Sequence, residues 1–423
     1  MSNARRDSKN RKLLKGEYQK EDGRYMFRYT DINGKVRFIY SWTLTQTDRA
    51  PQGKRTGKCL RVLEQEVLRD VQDKIDSYGA NNATLNKRFD EYMEQKKELK
   101  TTTRRDYKYL YDTYIRHTIG SRKIADIRYS DMKKFYGELI TEKNLLPSSV
   151  DRINVVVNPV FNVAVRDGLI RINPVSGIIG ELKKTHCWSQ NQRHSLTEDE
   201  QEAFIKFLMN DAQYKRWYPL FAFLLGTGCR IGEALGLTWN DCDFKNNIIS
   251  INHNLVYKPE EESNQAYFRI LEPKTESGKR EIPMLSDVRH ILLEERKRQF
   301  VTGGCGLTVD GYTGFIFLNK NNNLHQNSNI NRVLIRMTNK YNQEEEVRAI
   351  EELRAPVYLP HISAHTFRHT FCTRLCENET NLKVIQKIMG HSNITITMEV
   401  YNEATQKKKK ESISKLEGKI KIC

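Results

Sequence analysis

The chain has 423 residues, which is more than one ordinary compact domain holds, so two or three domains are expected. It carries 70 Lys and Arg against 53 Asp and Glu, and the formal net charge of +17 predicts binding to a polyanion. No run of about 18 apolar residues and no apolar leader occurs, so we expect no membrane partner, and nucleic acid is the better interpretation.

Eight cysteines are scattered along the chain. This spacing is not typical of a disulfide framework, so we expect reduced thiols and a cytosolic protein. Cys372 and Cys376 are the one close pair, near His369. Zinc would need more ligands at regular spacing, and we interpret both cysteines as small apolar residues on a helix.

Residues 1–80 are basic, with 18 Lys and Arg against 11 Asp and Glu. Two segments rich in β-branched and aromatic residues, 25–30 and 36–40, flank Asn33-Gly34, which predicts a hairpin because both turn residues tolerate positive φ. A helical pattern follows. We expect a small sheet with one helix, and we expect DNA contacts from three basic residues of the sheet and its turn: Arg28, Lys35 and Arg37.

Residues 81–178 show successive apolar stripes at helical spacing, which predicts an all-helical domain. Basic residues lie between these stripes and are candidates for phosphate contacts: Lys96, Lys97, Arg104 and Arg105. The segment 179–194 has weak periodicity and is interpreted as a linker.

A third domain is predicted over 195–405. Thr197 and Glu200 have the spacing of a capping box, which opens a helix. Helical patterns dominate this domain, and three short segments near 248–284 are typical of strands of a small sheet. Residues 406–423 carry apolar residues at helical spacing and predict a tail helix. The fold class expected for the whole chain is therefore α+β, in three domains.

Motifs for nucleotide hydrolysis and for two-metal chemistry are absent from the sequence. There is no phosphate-binding loop of the form G-x-x-x-x-G-K-[ST], and no paired carboxylates have metal-binding spacing. Phosphoryl transfer without a metal needs cationic side chains, a proton donor for the leaving oxygen and a nucleophile.

The sequence supplies such a set in its last domain. Arg230 lies in G-T-G-C-R-I-G-E, at the expected opening of a helix where an anion is favoured. His365 and Arg368 are three residues apart and share one helix face. His391 follows a glycine at a helix end, and Tyr401 lies ten residues later.

Lys274 follows a proline just before the basic turn that holds Lys279 and Arg280, both of which are further candidates for DNA contact. Each of these pieces is weak alone, since an H-x-x-R pattern occurs by chance and a single tyrosine usually belongs to a core. Their joint order is much more specific.

In this order and spacing the residues resemble the tyrosine recombinases, the phage-type integrase family. The resemblance is carried by G-T-G-C-R-I-G-E at Arg230, Lys274, H-T-F-R at 365–368, M-G-H-S at His391, and Tyr401. The helical unit looks like the family's core-binding domain, and residues 1–80 resemble the arm-binding domain of conjugative-transposon integrases.

The resemblance implies a role for each residue. Arg230 and Arg368 would hold the scissile phosphate and His391 would hydrogen-bond it. Lys274 would protonate the leaving 5′ oxygen, with Lys279 as a neighbouring alternative, and His365 would accept or orient the proton of the nucleophile Tyr401. A 3′-phosphotyrosine link would keep the energy of the broken bond, so we expect no cofactor, no metal and no ATP.

The implied partners are double-stranded DNA with the core and arm attachment sites of a mobile element, and three further copies of the chain in a tetramer that passes through a Holliday junction. An excisionase or a host DNA-bending protein is an expected accessory partner. We expect a bacterial, cytoplasmic protein that associates with the nucleoid when active. The alternatives are a type IB topoisomerase, which shares the chemistry, and a DNA- or RNA-binding protein without catalysis, which would explain only the charge.

Overall fold

The computed structural model describes residues 5–55, 57–185, 194–259, 266–273 and 275–402. These residues form two compact units, one within residues 1–190 and one within residues 191–423. The predictions for Lys274, for residues 186–193 of the linker and for the tail 406–423 concern residues outside the described ranges.

The first unit opens with an antiparallel sheet in the order β1 (Glu17–Gln19), β2 (Tyr25–Thr30) and β3 (Val36–Ser41). The hairpin predicted between β2 and β3 is present. Gly34 has a φ of +75°, and the Asp31 carboxylate accepts hydrogen bonds from the amides of Asn33 and Lys35. The turn is therefore fixed by both a glycine conformation and an Asp side chain.

The two faces of this sheet have different environments. Helix α1 (Leu60–Gln72) packs on β2 and β3, and Tyr25, Phe27 and Leu60 lie in the small core between them. On the opposite face the β3 side chains Val36, Phe38 and Tyr40 are exposed to solvent. An open apolar and aromatic sheet face of this kind is typical of a binding surface.

The rest of the first unit is helical, as predicted. Its helices pack around a core of apolar side chains in which the rings of Phe89 and Tyr111 stack, with centroids 3.6 Å apart. The helices are α2 (Ser77–Asn82), α3 (Leu85–Gln95), α4 (Thr101–Tyr114), α5 (Tyr129–Thr141), α6 (Pro147–Arg166) and α7 (Ile178–Thr185).

Helix α7 occupies the first half of the segment interpreted as a linker. Ile178 and Leu182 are buried in the same core as the preceding helices. Residues 179–185 of the segment interpreted as a linker are therefore helical, because two apolar residues four apart suffice to fix a short helix on a core although they give little periodicity.

The sheet and the helices of the first unit are joined by polar contacts. Arg171 forms ion pairs with Asp70 and Asp73 at the end of α1, and the amide of Asp76 donates to the carbonyl of Gly168. These contacts explain why residues 1–80 and the helical segment form one compact unit.

The described residues of the second unit are mainly helical and form two small antiparallel sheets. One sheet contains β4 (Cys242–Asp243), β5 (Ile248–Ile251) and β8 (Arg280–Pro283) in this order, and the other is a hairpin of β6 (Asn254–Pro259) and β7 (Ala266–Leu271). The capping box predicted at Thr197 and Glu200 opens the first helix.

The elements are α8 (Glu198–Asn210), α9 (Tyr218–Thr227), α10 (Ile231–Gly236), β4 (Cys242–Asp243), β5 (Ile248–Ile251), β6 (Asn254–Pro259), β7 (Ala266–Leu271), β8 (Arg280–Pro283), α11 (Ser286–Thr302), α12 (Asn327–Glu351), α13 (Ala364–Asn378), α14 (Leu382–Met389) and a last helix, α15, over 394–402.

The Glu-rich stretch after residue 342 is the end of α12 and the loop that follows it. Glu345 is buried there, and its carboxylate accepts hydrogen bonds from Arg354 and from the amide of Val357. One glutamate of the stretch therefore holds the returning loop against the helix.

Candidate active site

Arg230 is placed by the turn between α9 and α10. The apolar helix α9 ends at Gly228, whose φ of +62° lets the chain reverse, and a Cβ at this position would lie 2.4 Å from the Phe371 ring. Arg230 then occupies the N-cap of α10, and its amide donates to the Glu233 carboxylate over 2.9 Å. The helix start predicted at Arg230 is thus present, with an acidic residue three positions later.

Glu233 is buried and is shared by two guanidinium groups. Its Oε1 lies 2.7 Å from Nη1 of Arg230, and its Oε2 lies 2.8 Å from Nη2 of Arg280. Burial alone would raise the pKa of Glu233, but the hydrogen bonds and charge of Arg280, together with Arg230, outweigh it and lower the pKa to about 2. Glu233 therefore stays ionised at neutral pH and holds both arginines.

Three arginines converge on the end of α14. The last carbonyls of a helix lack intrahelical partners, and cations are favoured there. Three consecutive carbonyls, 388–390, each accept a hydrogen bond from a different arginine: Nε of Arg280 at 2.8 Å, Nη2 of Arg368 at 2.6 Å and Nη2 of Arg230 at 3.1 Å.

Arg368 is more deeply buried than Arg230, the other arginine predicted to hold the phosphate. Its side chain comes from α13, is buried, and donates Nη1 to the carbonyl of Gly228 over 2.8 Å. Burial, followed by the charge of nearby Arg230, lowers the pKa of Arg368 to about 10. The group is still protonated at neutral pH, and its charge is balanced by backbone carbonyls, an arrangement that an anion would stabilise further.

His391 follows directly on the arginine-bound carbonyls and is buried. Its Nδ1 lies 3.0 Å from Oγ1 of Thr397, which belongs to α15. Asn393 caps this helix by accepting from the amide of Thr395 over 2.9 Å. The histidine ring is therefore held between the end of α14 and the start of α15.

Tyr401 lies near the end of the described part of α15. It packs against a small apolar cluster that includes Cys372 and Cys376 of α13 and Met389 of α14. The structure thus brings Tyr401 to the two helices that carry Arg368 and the arginine-bound carbonyls. Both cysteines are buried. Among the described residues, no group of three or more His, Cys, Asp or Glu is arranged to hold a metal ion.

Of the two remaining predicted catalytic residues, the structure describes His365 but not Lys274. His365 lies in the first turn of α13, one turn before Arg368, and its side chain is exposed. Lys274 is outside the described residues. The turn that follows it touches the site, since a Cβ on Gly390 would lie 2.9 Å from the carbonyl oxygen of Ser277. Lys279 is exposed and lies 3.5 Å from Glu272.

The residues predicted to contact DNA from the first sheet fall on different sides of it. Arg28 is exposed and pairs with Phe38 on the open face, and Lys35 is exposed in the turn. Arg37 lies on the other face of the sheet, because successive side chains of a strand alternate between faces. It forms an ion pair with Asp31 and lies over the Tyr78 ring at 3.6 Å. These intramolecular contacts do not favour a DNA contact by Arg37.

The basic residues of the helical segment cluster at one place. Lys96, Lys97 and Arg105 are exposed and Arg104 is half-buried, and they lie where α3 ends and α4 begins. Arg280 differs from them. Its side chain is 5 % exposed and is bound to Glu233 and the α14 carbonyl, so it is part of the site's framework and not a surface available to DNA.

Two residues of the site were missed in the sequence. Glu233 stands three residues after Arg230, and this capping-box spacing is a signal that could have identified it. Thr397 precedes Tyr401 by one helical turn, but nothing in the sequence shows that it meets the His391 ring. None of the described helices is long and apolar enough to span a membrane.

Family comparisons match this architecture segment by segment. The model of the phage integrase family matches residues 194–408, that of the DNA-binding domain of Tn916 integrase matches residues 1–71, and that of the N-terminal SAM-like domain of phage integrases matches residues 84–140. The three matched segments follow one another along the chain without overlap.

Individual proteins and structures agree with these matches. The transposase from transposon Tn1545 of Streptococcus agalactiae is 34 % identical over 409 residues, covering 96 % of this chain and 95 % of that protein. The transposase from transposon Tn916 of Enterococcus faecalis is 33 % identical over the same length and coverage. The Tn1549 transposon integrase, solved in complex with transposon right end DNA, is 29 % identical with a TM-score of 0.66, covering 78 % of this chain and 99 % of that one.

The fold and the matches together define a DNA-recombining enzyme of the integrase class. The chain belongs to the phage integrase family, the tyrosine recombinases, and is similar to the transposases of Tn1545 and Tn916. The family, the α+β fold class and the enzyme class predicted from the sequence are confirmed.

Proposed function

We propose that this chain cuts and rejoins DNA at the attachment sites of a mobile element, with Tyr401 as nucleophile. The observation that carries the proposal is the convergence of Arg230 and Arg368 on the carbonyls that precede His391, beside the helix that bears Tyr401. A phosphate needs such a set of fixed cations when a side-chain hydroxyl attacks it.

The reaction conserves the number of phosphodiester bonds. The Tyr401 hydroxyl oxygen bonds to the scissile phosphorus, and the bond from phosphorus to the 5′ oxygen breaks. His365 takes or directs the tyrosine proton, and Lys274 gives a proton to the departing 5′ oxygen. Arg230, Arg368 and His391 hold the non-bridging oxygens. A 5′-hydroxyl of another strand then reverses the attack, so ATP is not needed.

The substrate follows from the chain's relatives. The names of the two relatives mark them as transposases from transposons Tn1545 and Tn916. The structure of the Tn1549 integrase was solved in complex with transposon right end DNA. We infer that this chain acts on the ends of a related bacterial element in the cytoplasm, as four copies on two duplexes joined through a Holliday junction. An excisionase or a host bending protein would set the direction.

The open face of the first sheet is the proposed contact with arm DNA. Phe38 and Tyr40 are exposed there beside Arg28, and Lys20 and Arg24 lie 5.7 and 5.6 Å from the Tyr40 ring. Cations next to exposed aromatic rings suit the phosphates and base edges of a duplex. The match of residues 1–71 to the DNA-binding domain of Tn916 integrase supports this assignment.

A trapping experiment tests the nucleophile. The substrates are duplexes with a randomised core and a nick at a fixed position. When attack falls just upstream of the nick, the short 5′-hydroxyl fragment diffuses away and the covalent adduct is trapped. The duplex enriched by capture of SDS-resistant adducts then serves as the substrate. We expect wild-type protein to form the adduct and Tyr401→Phe to form none while its DNA affinity is unchanged.

Tyr358→Phe is the matched control, since Tyr358 is an exposed tyrosine of the same unit and should leave adduct formation unchanged. DNA binding by folded wild-type protein without any adduct would contradict the proposal. The topoisomerase alternative is separated by a second assay: exchange of strands between two duplexes supports a recombinase, and relaxation of a single supercoiled duplex without exchange supports a topoisomerase.

A further inference from the structure

The hydroxyl of Thr397 is completely buried and is directed at a histidine. Its relative exposure is 0 %, and Oγ1 lies 3.0 Å from Nδ1 of His391. Other buried threonines nearby behave differently. Thr370 and Thr373 donate to the carbonyl one turn earlier in α13, over 2.8 and 3.0 Å, which is the ordinary way for a helical threonine to satisfy its hydroxyl.

The burial of Thr397 determines where the protons lie. Among the described residues, Nδ1 of His391 is the hydrogen-bond partner of this hydroxyl. If Nδ1 carried a proton and donated it, the hydroxyl proton of Thr397 would be buried without an acceptor, which is unfavourable. The favoured arrangement has the hydroxyl donating to Nδ1, which places the ring proton of a neutral imidazole on Nε2.

The same contact joins the histidine to the helix of the nucleophile. The His391 backbone is held by α14, since its amide donates to the Gln386 carbonyl over 3.2 Å and its carbonyl accepts from Nε2 of Gln386 over 2.9 Å. Its ring is held by Thr397, which lies one turn before Tyr401 on α15. One hydrogen bond thus links the orientation of the ring to the position of the tyrosine helix.

We propose that Thr397 is a positioning residue for strand cleavage. It keeps His391 as the Nε2–H tautomer, so that Nε2 donates to a non-bridging oxygen of the scissile phosphate, and it fixes the ring relative to α15. The inference rests on the proposed function, because it assigns His391 to the phosphate. Thr397 itself touches no reacting atom.

The test uses two conservative variants of the full chain on the captured nicked duplex. Thr397→Val keeps the branched shape and removes the hydroxyl, and Thr397→Ser keeps the hydroxyl. We expect Thr397→Val to lower the rate of adduct formation about 10-fold, the size of one lost hydrogen bond of roughly 1.4 kcal/mol, with the DNA Kd unchanged. Thr397→Ser should restore the rate to within about threefold of wild type.

A double-mutant cycle separates positioning from a general structural role. In a His391→Ala background, Thr397→Val should slow adduct formation less than about twofold, because the group it positions is gone. An equal loss in both backgrounds, or a Thr397→Ser variant as slow as Thr397→Val, would overturn the inference, as would a Thr397→Val variant with the wild-type rate.

Failure of the inference and failure of the proposed function give different results. If wild-type protein forms no adduct, the nucleophilic role of Tyr401 is at fault. If wild-type protein forms the adduct, Tyr401→Phe does not, and Thr397→Val reacts normally, only the role of Thr397 is wrong.

Discussion

Arg280 and Glu233 form an ion pair that is almost closed to solvent, with Nη2 of the arginine 2.8 Å from Oε2 of the glutamate and side-chain exposures of 5 % and 4 %. Breaking such a pair leaves a buried charge without its partner. This pair is also joined to Arg230, so it connects the stability of the second unit with the geometry of the phosphate-binding arginines.

Glu233→Gln should therefore destabilise the second unit by about 3 kcal/mol. The measurement is urea unfolding of the full chain followed by circular dichroism. Glu352→Gln is the control, because Glu352 pairs with Arg354 at an exposed position and its loss should change the unfolding free energy much less. If both variants lost the same small amount of unfolding free energy, the buried pair would stabilise the fold no more than the exposed pair does.

The stabilisation by Glu233 should depend on pH in a defined direction. Its folded-state pKa of about 2 is below the ordinary value of 4.5, so the carboxylate stabilises the fold at neutral pH. This contribution is lost as pH falls from about 4.5 towards about 2. The gap in unfolding free energy between wild type and Glu233→Gln should stay constant from about pH 7 to pH 5.5 and narrow at lower pH. A gap that widens in acid would refute the assignment.

Arg368→Lys should abolish most of the cleavage although it keeps the positive charge. Arg368 donates to two carbonyls from different elements, Gly228 and Met389, and a lysine ammonium cannot reproduce this planar geometry. We expect the rate of adduct formation to fall at least about 100-fold. Arg374→Lys, on the same helix, changes contacts with Glu377 and with the carbonyl of Leu196 and should leave the rate unchanged. Wild-type activity of Arg368→Lys would contradict the role given to this arginine.

Gly390→Ala tests the contact between the α14 end and the turn before β8. The alanine Cβ would lie 2.9 Å from the Ser277 carbonyl oxygen, and the φ of +63° is itself strained for alanine. We expect destabilisation of about 2 kcal/mol and a lower rate of adduct formation. Gly311→Ala has a φ of +86° but open space around the added carbon, so it measures the backbone strain alone. If both variants lose the same stability, the steric contact is unimportant.

The two arginines of the first sheet should separate DNA contact from folding. Arg28→Ala should weaken binding of the full chain to duplex DNA and reduce the slope of log Kd against log salt by about 1. Arg37→Ala should leave that slope unchanged and lower the melting temperature, since it removes the ion pair with Asp31 and the contact with Tyr78. The reverse pattern would place the DNA on the helix-covered face.

Most of the fold was predictable because its signals are local. The Asn33-Gly34 turn, the Thr197 capping box and the helix start at Arg230 each depend on residues within four positions of one another. The order of Arg230, Arg368, His391 and Tyr401 was visible for a different reason, namely its resemblance to a family with this chemistry.

The environment of the arginines was not predictable, because it depends on contacts between distant segments. The basic turn around Arg280 predicts a contact with DNA, yet Arg280 is bound to Glu233, 47 positions earlier, and to Ile388, 108 positions later. Strand alternation predicts that Arg28 and Arg37 lie on opposite faces of the sheet. It does not predict which of the two faces the helix covers.

The three arginines that bind the α14 carbonyls also have a consequence for the order in which the protomers of an assembly cut DNA. The fold itself holds these like charges together through the α14 carbonyls and Glu233, so binding of a phosphate does not have to assemble them. A step that decides which protomer of an assembly cuts first would therefore have to act on the position of the tyrosine helix, whose contacts with the neighbouring helices include an apolar cluster and the Thr397 hydroxyl.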